Sequence, residues 1–270
     1  MKIGVIIVLD DNIEKKFEKL RAMDIPYCQL NCWEPYVVTE EMLERVKRAR
    51  EEYGIEITSC WCGWSKPRIW NFSQGPHTLG IVPPVYREVR CQQLKRGADF
   101  AKKLGVTDVI THAGFIPENP MTTEYQTLIP ALQDLAMHYK ENGQNFLFET
   151  GQETPVTLLR AIEDVGTGNM GINLDPANLI MYGKGNPVDA LDVFGKFVRS
   201  IHGKDGLYPT NGYELGKEVR MGDGKVNYPV FLEKLKEIGY DGPIIIEREI
   251  SGEQQTEDIK YAKAYLEARI

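Results

Sequence analysis

The chain has 270 residues, a formal charge of −7, 42% hydrophobic and 26% charged side chains. That length buries a sizeable core as one large α/β domain, and the acidic balance argues against nucleic acid as a partner, because neutralising phosphates takes a basic surface. No membrane partner is expected either: the apolar run from Ile3 to Val8 is too short for a span and gives way to Asp10 and Asp11.

That run reads as the first strand, over 2–8, followed by a helix near 12–22 and a second strand near 25–31. Thr39 caps an amphipathic helix carrying Met42, Leu43 and Val46, and Gly54 stops it after Tyr53. A third strand follows at 55–61. Cys28, Cys32, Cys60 and Cys62 lack the paired CxxC spacing of a zinc site, so buried thiols are expected. With no export signal in front of the first strand, the expected compartment is the cytoplasm, where the five cysteines stay reduced. The long segment 63–84 holds Trp64, Trp70, Phe72 and His77 and is expected to fold down as a lid, Trp70 and Phe72 forming its own small core. Trp33 and Trp61, at strand ends, are candidate pocket walls, since aromatic faces cover the C–H side of a sugar ring.

A helix over 85–104 leads to a fourth strand, 108–111, that runs into His112. After a helix near 122–141 come four strands that share one property. Asn145–Glu149 ends on a glutamate, Gly171–Asp175 on an aspartate, Phe197–His202 on a histidine and Pro243–Glu247 on a glutamate. Helices near 155–164, 187–194, 228–238 and 255–268 separate and close them. Eight strands alternating with eight helices predict a (β/α)8 TIM barrel, a single domain over 1–270, with its reactive groups at the C-terminal strand ends.

Period-two alternation turns Phe146, Phe148, Ile172, Leu174, Ile244 and Ile246 outward to helices, and Glu149, Asp175 and Glu247 inward. His202 fits less cleanly, because Arg199 then shares the outward face with Ile201. Asp175, just before Pro176, has an ordinary alternative as a cap of the following turn. Three inward carboxylates in one pocket repel unless a cation sits among them. Oxygen-rich ligation with one nitrogen suits a divalent ion, Mn2+ first, with Mg2+, Co2+ or Zn2+ as alternatives.

Glu149, Asp175, His202 and Glu247 in this order, within Glu149-Thr150-Gly151-Gln152-Glu153, Leu174-Asp175-Pro176-Ala177-Asn178, His202-Gly203-Lys204-Asp205 and Ile246-Glu247-Arg248, resemble the xylose-isomerase-like barrels of sugar isomerases and epimerases. The resemblance spans essentially the whole chain. It implies one divalent ion held by those four side chains and a small carbohydrate substrate whose enediolate the metal stabilises. Glu149 and Glu247 would then be the acid/base pair on opposite faces of one carbon. Ketose 3-epimerases of the family carry a histidine where this chain has Asn178, and an amide cannot shuttle a proton. His112, Glu153, Asn178, Lys204, Trp33, Trp61 and Arg220 are the candidate substrate contacts at the same rim.

A lyase or dehydratase on a keto-sugar or keto-inositol would use the same metal site and the same first proton removal. A non-catalytic sugar-binding barrel is a further alternative. An abasic-site endonuclease of this fold needs three metals and more than the four histidines present. The substrate's identity and phosphorylation are left open, as is assembly into a homo-oligomer.

Overall fold

Short β-branched and aromatic runs alternate with longer amphipathic ones, and the two periodicities produce two kinds of element. In the computed structural model, which describes residues 1–270, the barrel strands are β1 (Lys2–Val8), β2 (Tyr27–Cys32), β3 (Glu56–Cys62), β4 (Asp108–Thr111), β5 (Asn145–Glu149), β6 (Met170–Leu174), β7 (Val198–Gly203) and β8 (Pro243–Ile246). All pair in parallel and close in the order β1-β8-β7-β6-β5-β4-β3-β2. The helices around them are α1 (Ile13–Ala22), α2 (Glu40–Tyr53), α3 (Pro84–Lys103), α4 (Thr123–Glu141), α5 (Pro155–Val165), α6 (Pro187–Phe194), α7 (Tyr228–Glu237) and α8 (Glu253–Glu267). This is the expected (β/α)8 TIM barrel.

Thr39 caps α2 by accepting from the Met42 N–H, and Gly54 ends it in the left-handed conformation at φ 65°. Elements that the alternation did not predict are short: helices at Gly75–Thr78 and Pro176–Met181, and an antiparallel pairing of Asp205–Gly206 with Glu218–Val219 in the loop after β7.

A buried layer between strands and helices includes Phe146, Phe148, Ile172, Leu174, Ile201, Ile244 and Ile246. Each contributes roughly 1.5–3 kcal/mol by burial, so Phe146→Ala would cost about 3–5 kcal/mol. A second cluster, Trp61, Trp64, Leu79, Ile110 and Leu147, fills the barrel's interior and the underside of the segment above it. Gly4 and Gly171 make room for inner side chains: a Cβ on either would lie 2.7 Å from Ile245 or Leu147.

The irregular period of β7 has a structural cause. β6 and β7 pair Ile172 with Val198 but Asn173 with Ser200, leaving Arg199 as an extra, bulged residue. The bulge resets the alternation, so Ile201 packs outward and His202 turns into the barrel. Arg199 reaches Asp108 at the opposite end, 2.8 Å away.

The segment 63–83 is pinned from below by Arg90 of α3. This wholly buried guanidinium donates to four backbone oxygens: Thr78 and Gly80 at 2.8 and 2.6 Å, Ser65 and Pro67 at 3.1 and 2.7 Å. Burial lowers its pKa to about 10, leaving it charged at neutrality. Trp64 packs beneath the segment, fully buried. Trp70 and Phe72 stay half-buried, and Phe72 meets Tyr182 edge-on. The small core thus belongs to Trp64, while Trp70 also lines the cavity.

Candidate metal centre and active-site cavity

Glu149 at the end of β5, Asp175 just beyond β6, His202 in β7 and Glu247 just beyond β8 offer four ligand atoms that all lie within 4.8 Å of one another. His202 Nδ1 stands at the centre, 3.0 Å from Glu247 Oε2, 3.2 Å from Glu149 Oε1 and 3.5 Å from Asp175 Oδ2. His202 Nδ1, Asp175 Oδ2 and Glu247 Oε2 are buried and have no hydrogen-bond partner. Buried polar atoms left unpaired are costly, so three of them converging on one point fit a shared divalent ion.

Asp175 serves two purposes with its two oxygens. Oδ1 accepts from the Asn178 N–H at 2.8 Å and caps the helix Pro176–Met181, while Oδ2 turns into the cluster. Oδ1 makes the cap, and Oδ2 is left available to a cation.

His202 presents Nδ1 because its other nitrogen is engaged. Nε2 lies 3.1 Å from Gln29 Oε1, an acceptor, and 3.0 Å from the Asn173 side-chain amide, whose partnerless Oδ1 accepts there as well once the amide is turned over; both then suit hydrogen on Nε2. Gln29, buried in β2, is held in turn by donating to Asn31 and accepting from Ser59. Sequence reading missed Gln29; its only signal is a polar residue at an inward position of an apolar strand.

Glu149 is gripped from three sides. The Trp61 indole N–H donates to Oε2, His112 Nε2 lies 3.4 Å from Oε1, and the Asn178 amide donates to Oε1 at 3.5 Å. Burial pushes the Glu149 carboxyl up, but His112 and His202 outweigh it and hold it well below the usual range. Burial likewise opposes charge on His202, yet Glu149 and Glu247 raise its pKa well above the ordinary value. An imidazolium here does part of a cation's work. Lys204 is buried too, 2.9 Å from Glu249, 3.4 Å from Glu247 and 3.6 Å from Asp175, and those carboxylates keep it charged against burial.

A cavity of about 490 Å3 opens at the cluster, lined among others by Trp33, Trp61, Trp70, His112, Glu149, Asn178 and Glu247. Trp33 and Trp61 lie 4.4 Å apart by ring centroid, and Trp70 meets His112 edge-on at 5.1 Å. Of the remaining rim candidates, Lys204 reaches the cluster from behind Glu247. It is not part of the cavity wall, and neither are the other two. Arg220 is exposed, bonded to Asp223 3.2 Å away and stacked on Tyr261, because the loop after β7 turns it outward. Glu153 is buried behind Glu149; both its carboxylate oxygens lack a partner, and burial raises its pKa to about 8. The cysteines are all buried, and burial raises the Cys62 thiol to about 12. No helix is long and apolar enough to cross a membrane.

A family model described as xylose isomerase-like TIM barrel matches residues 17–268. The crystal structure of a xylose isomerase domain protein from Planctomyces limnophilus is 35% identical and superposes with a TM-score of 0.90, covering 98% of this chain and 95% of that one. That of a D-tagatose 3-epimerase-like protein, 23% identical, gives a TM-score of 0.78 over 99% and 98% of the two chains. The inosose dehydratase of Lacticaseibacillus casei is 25% identical over 167 residues, 54% of each chain.

Proposed function

The chain belongs to the xylose isomerase-like TIM barrel family, and from that premise we propose that it is a divalent-metal-dependent isomerase or epimerase of a small sugar or keto-sugar. The observation that carries this reading is the convergence of Glu149, Asp175, His202 and Glu247, the last three with a partnerless oxygen or nitrogen, at the floor of a cavity with room for a sugar. A divalent ion, Mn2+ by preference, would be held by those four side chains and would supply Lewis acidity that eases loss of the proton beside a substrate carbonyl.

The chain's own groups handle the proton. Glu149 and Glu247 are the acid/base pair: one, ionised, removes the proton from carbon, and the other, protonated, delivers its own proton on the opposite face. Trp61, His112 and Asn178 fix the Glu149 oxygens, and Lys204 fixes Glu247 from behind. Trp33, Trp61 and Trp70 exclude water over the reacting carbon and cover the sugar's apolar face. Asn178 holds its neighbours without carrying a proton.

A second reading, loss of a β-hydroxyl from a keto-sugar or keto-inositol, shares the first proton removal and is favoured by the dehydratase relative. Proton NMR of candidate sugars in heavy water separates the two. Deuterium entry at one carbon with the sugar skeleton intact is expected; an unsaturated product would instead select the dehydratase. Glu247→Gln, still folded by circular dichroism, is expected to lower exchange by about 10²–10⁴-fold. Undiminished exchange would overturn the acid/base assignment.

A further inference from the structure

The cavity is larger and more apolar than a bare sugar needs. At roughly 30 Å3 per water, its 490 Å3 is the room of about sixteen waters, more than a hexose of about twelve heavy atoms replaces. Its polar lining is gathered mainly at the four-residue cluster, with Arg248, Glu249 and Gln255 along one border toward α8. Trp33, Trp61 and Trp70 line the side of β2 and β3. The other apolar surface, Val5, Ile6, Val8, Ile246, Ile250 and Ile259, lies where β1 and β8 part. Those strands pair only as far as Val5 with Ile246, and beyond it the chain after Glu247 leaves a cleft directed at α8. A polyol with hydroxyls on every side would leave these walls against water.

Charge excludes a phosphate from the same space. Arg248 on the cavity wall is spent on Glu218 and Asp258, 3.0 and 2.7 Å away, and Lys204 sits among Asp175, Glu247 and Glu249. TIM barrels that bind phosphate use backbone N–H groups of the loops after the seventh and eighth strands. Here the loop after β7 already holds an anion: the N–H groups of Gly206, Gly222, Gly224 and Val226 donate to the Asp205 carboxylate at 2.9, 2.9, 3.1 and 3.1 Å. Gly224 lies so close that a Cβ on it would be 2.0 Å from Asp205 Oδ1. The chain's own side chain fills the nest an anionic substrate would use.

We propose that the substrate is an uncharged keto-sugar ring bearing an apolar substituent, a keto-glycoside-type compound, with the sugar at the four-residue cluster and the substituent in the cleft between β1 and β8. This rests on the sugar-enzyme reading above. The test is calorimetric titration of the Mn2+-loaded protein with matched sets of D-glucose, D-galactose and D-mannose, each as free sugar, 6-phosphate and phenyl glycoside. In at least one set the phenyl glycoside should bind tenfold or more tighter than the free sugar, and the phosphate no tighter. Ile250→Lys, on the loop wall of the cleft, should reduce that advantage at least fivefold. A phosphate that binds best, a phenyl group that gains nothing, an unchanged ratio in the variant, or no binding in any set would overturn the proposal. Deuterium exchange into the free sugars, which open to a carbonyl, and into the 3-keto derivatives of the phenyl glycosides reads the catalytic proposal separately. A phenyl advantage without exchange sinks the enzyme reading alone, and exchange without a phenyl advantage sinks this one alone.

Discussion

Gln29 Oε1 lies 3.1 Å from His202 Nε2, and this contact across the barrel, beside the Asn173 amide 3.0 Å from the same nitrogen, turns the other nitrogen of the imidazole to the three carboxylates. Hydrogen on Nε2 leaves the lone pair on Nδ1 free for a cation. Gln29→Met removes the acceptor at similar volume and frees the ring to change tautomer. Mn2+ affinity should fall by about 10–100-fold, the cost usually seen when such a supporting partner is lost. Calorimetric titration of parent and variant with Mn2+ checks it; equal affinities would remove Gln29 from the site.

Thermal stability should respond to divalent metal. Without a cation, the cluster stands on His202 and Lys204 alone against Glu149, Asp175 and Glu247. Mn2+ at a hundred times its dissociation constant adds about 2.7 kcal/mol. At roughly 2–4 °C per kcal/mol for a chain of this size, Tm should rise by about 5–10 °C over the chelator-treated protein. Asp175→Asn should lose most of that rise, and a full rise in the variant would show that the ion binds elsewhere.

Glu153 makes stability fall with rising pH. Its folded pKa of about 8 lies above the ordinary 4.5, so between those values the folded protein holds a proton that the unfolded chain releases. Stability contributed by that proton is complete below pH 4.5 and is lost as pH rises to about 8, amounting to about 5 kcal/mol at most. Glu153→Gln keeps the shape and cannot ionise. Urea denaturation of chelator-treated protein at pH 5 and pH 9 should show the variant gaining on the parent at the higher pH. Parallel pH profiles would contradict the buried, partnerless carboxylate.

Arg90→Met should loosen the roof of the cavity before it unfolds the barrel. Four backbone oxygens of the 65–80 stretch lose their donor at once, and each buried acceptor left unpaired costs about 1–3 kcal/mol. Limited proteolysis should cut the variant within 63–83 at least tenfold faster than the parent, while far-ultraviolet circular dichroism at 25 °C stays unchanged. Cleavage at the parent's rate would show that Trp64 and Leu79 hold the segment without Arg90.

The barrel was readable from the chain because its causes are local. Period-two runs such as Phe146-Leu147-Phe148 fix which side of a strand meets helices, and closing the sheet sends the other set inward. Helix stops at Gly54 and capping at Thr39 are likewise written within a few residues. Once eight such units close, Glu149, Asp175 and Glu247 have to converge, because parallel strands bring all their C-terminal ends to one rim.

What the chain did not disclose depends on contacts between residues far apart in sequence, which leave no period or spacing to read. Gln29 supports His202 from 173 positions away, and Trp61 grips Glu149 from 88. The bulge at Arg199 appears only when β7 is laid against β6, and it is what turns His202 inward. Arg220 shares a loop with the rim yet points outward, because Asp205 has folded that loop around its own carboxylate. Sequence determined the barrel and the four side chains at its mouth through local periodicity. Tertiary structure alone decided their protonation, their supports and the shape of the space above them, because hydrogen bonds and packing across the barrel depend on three-dimensional proximity.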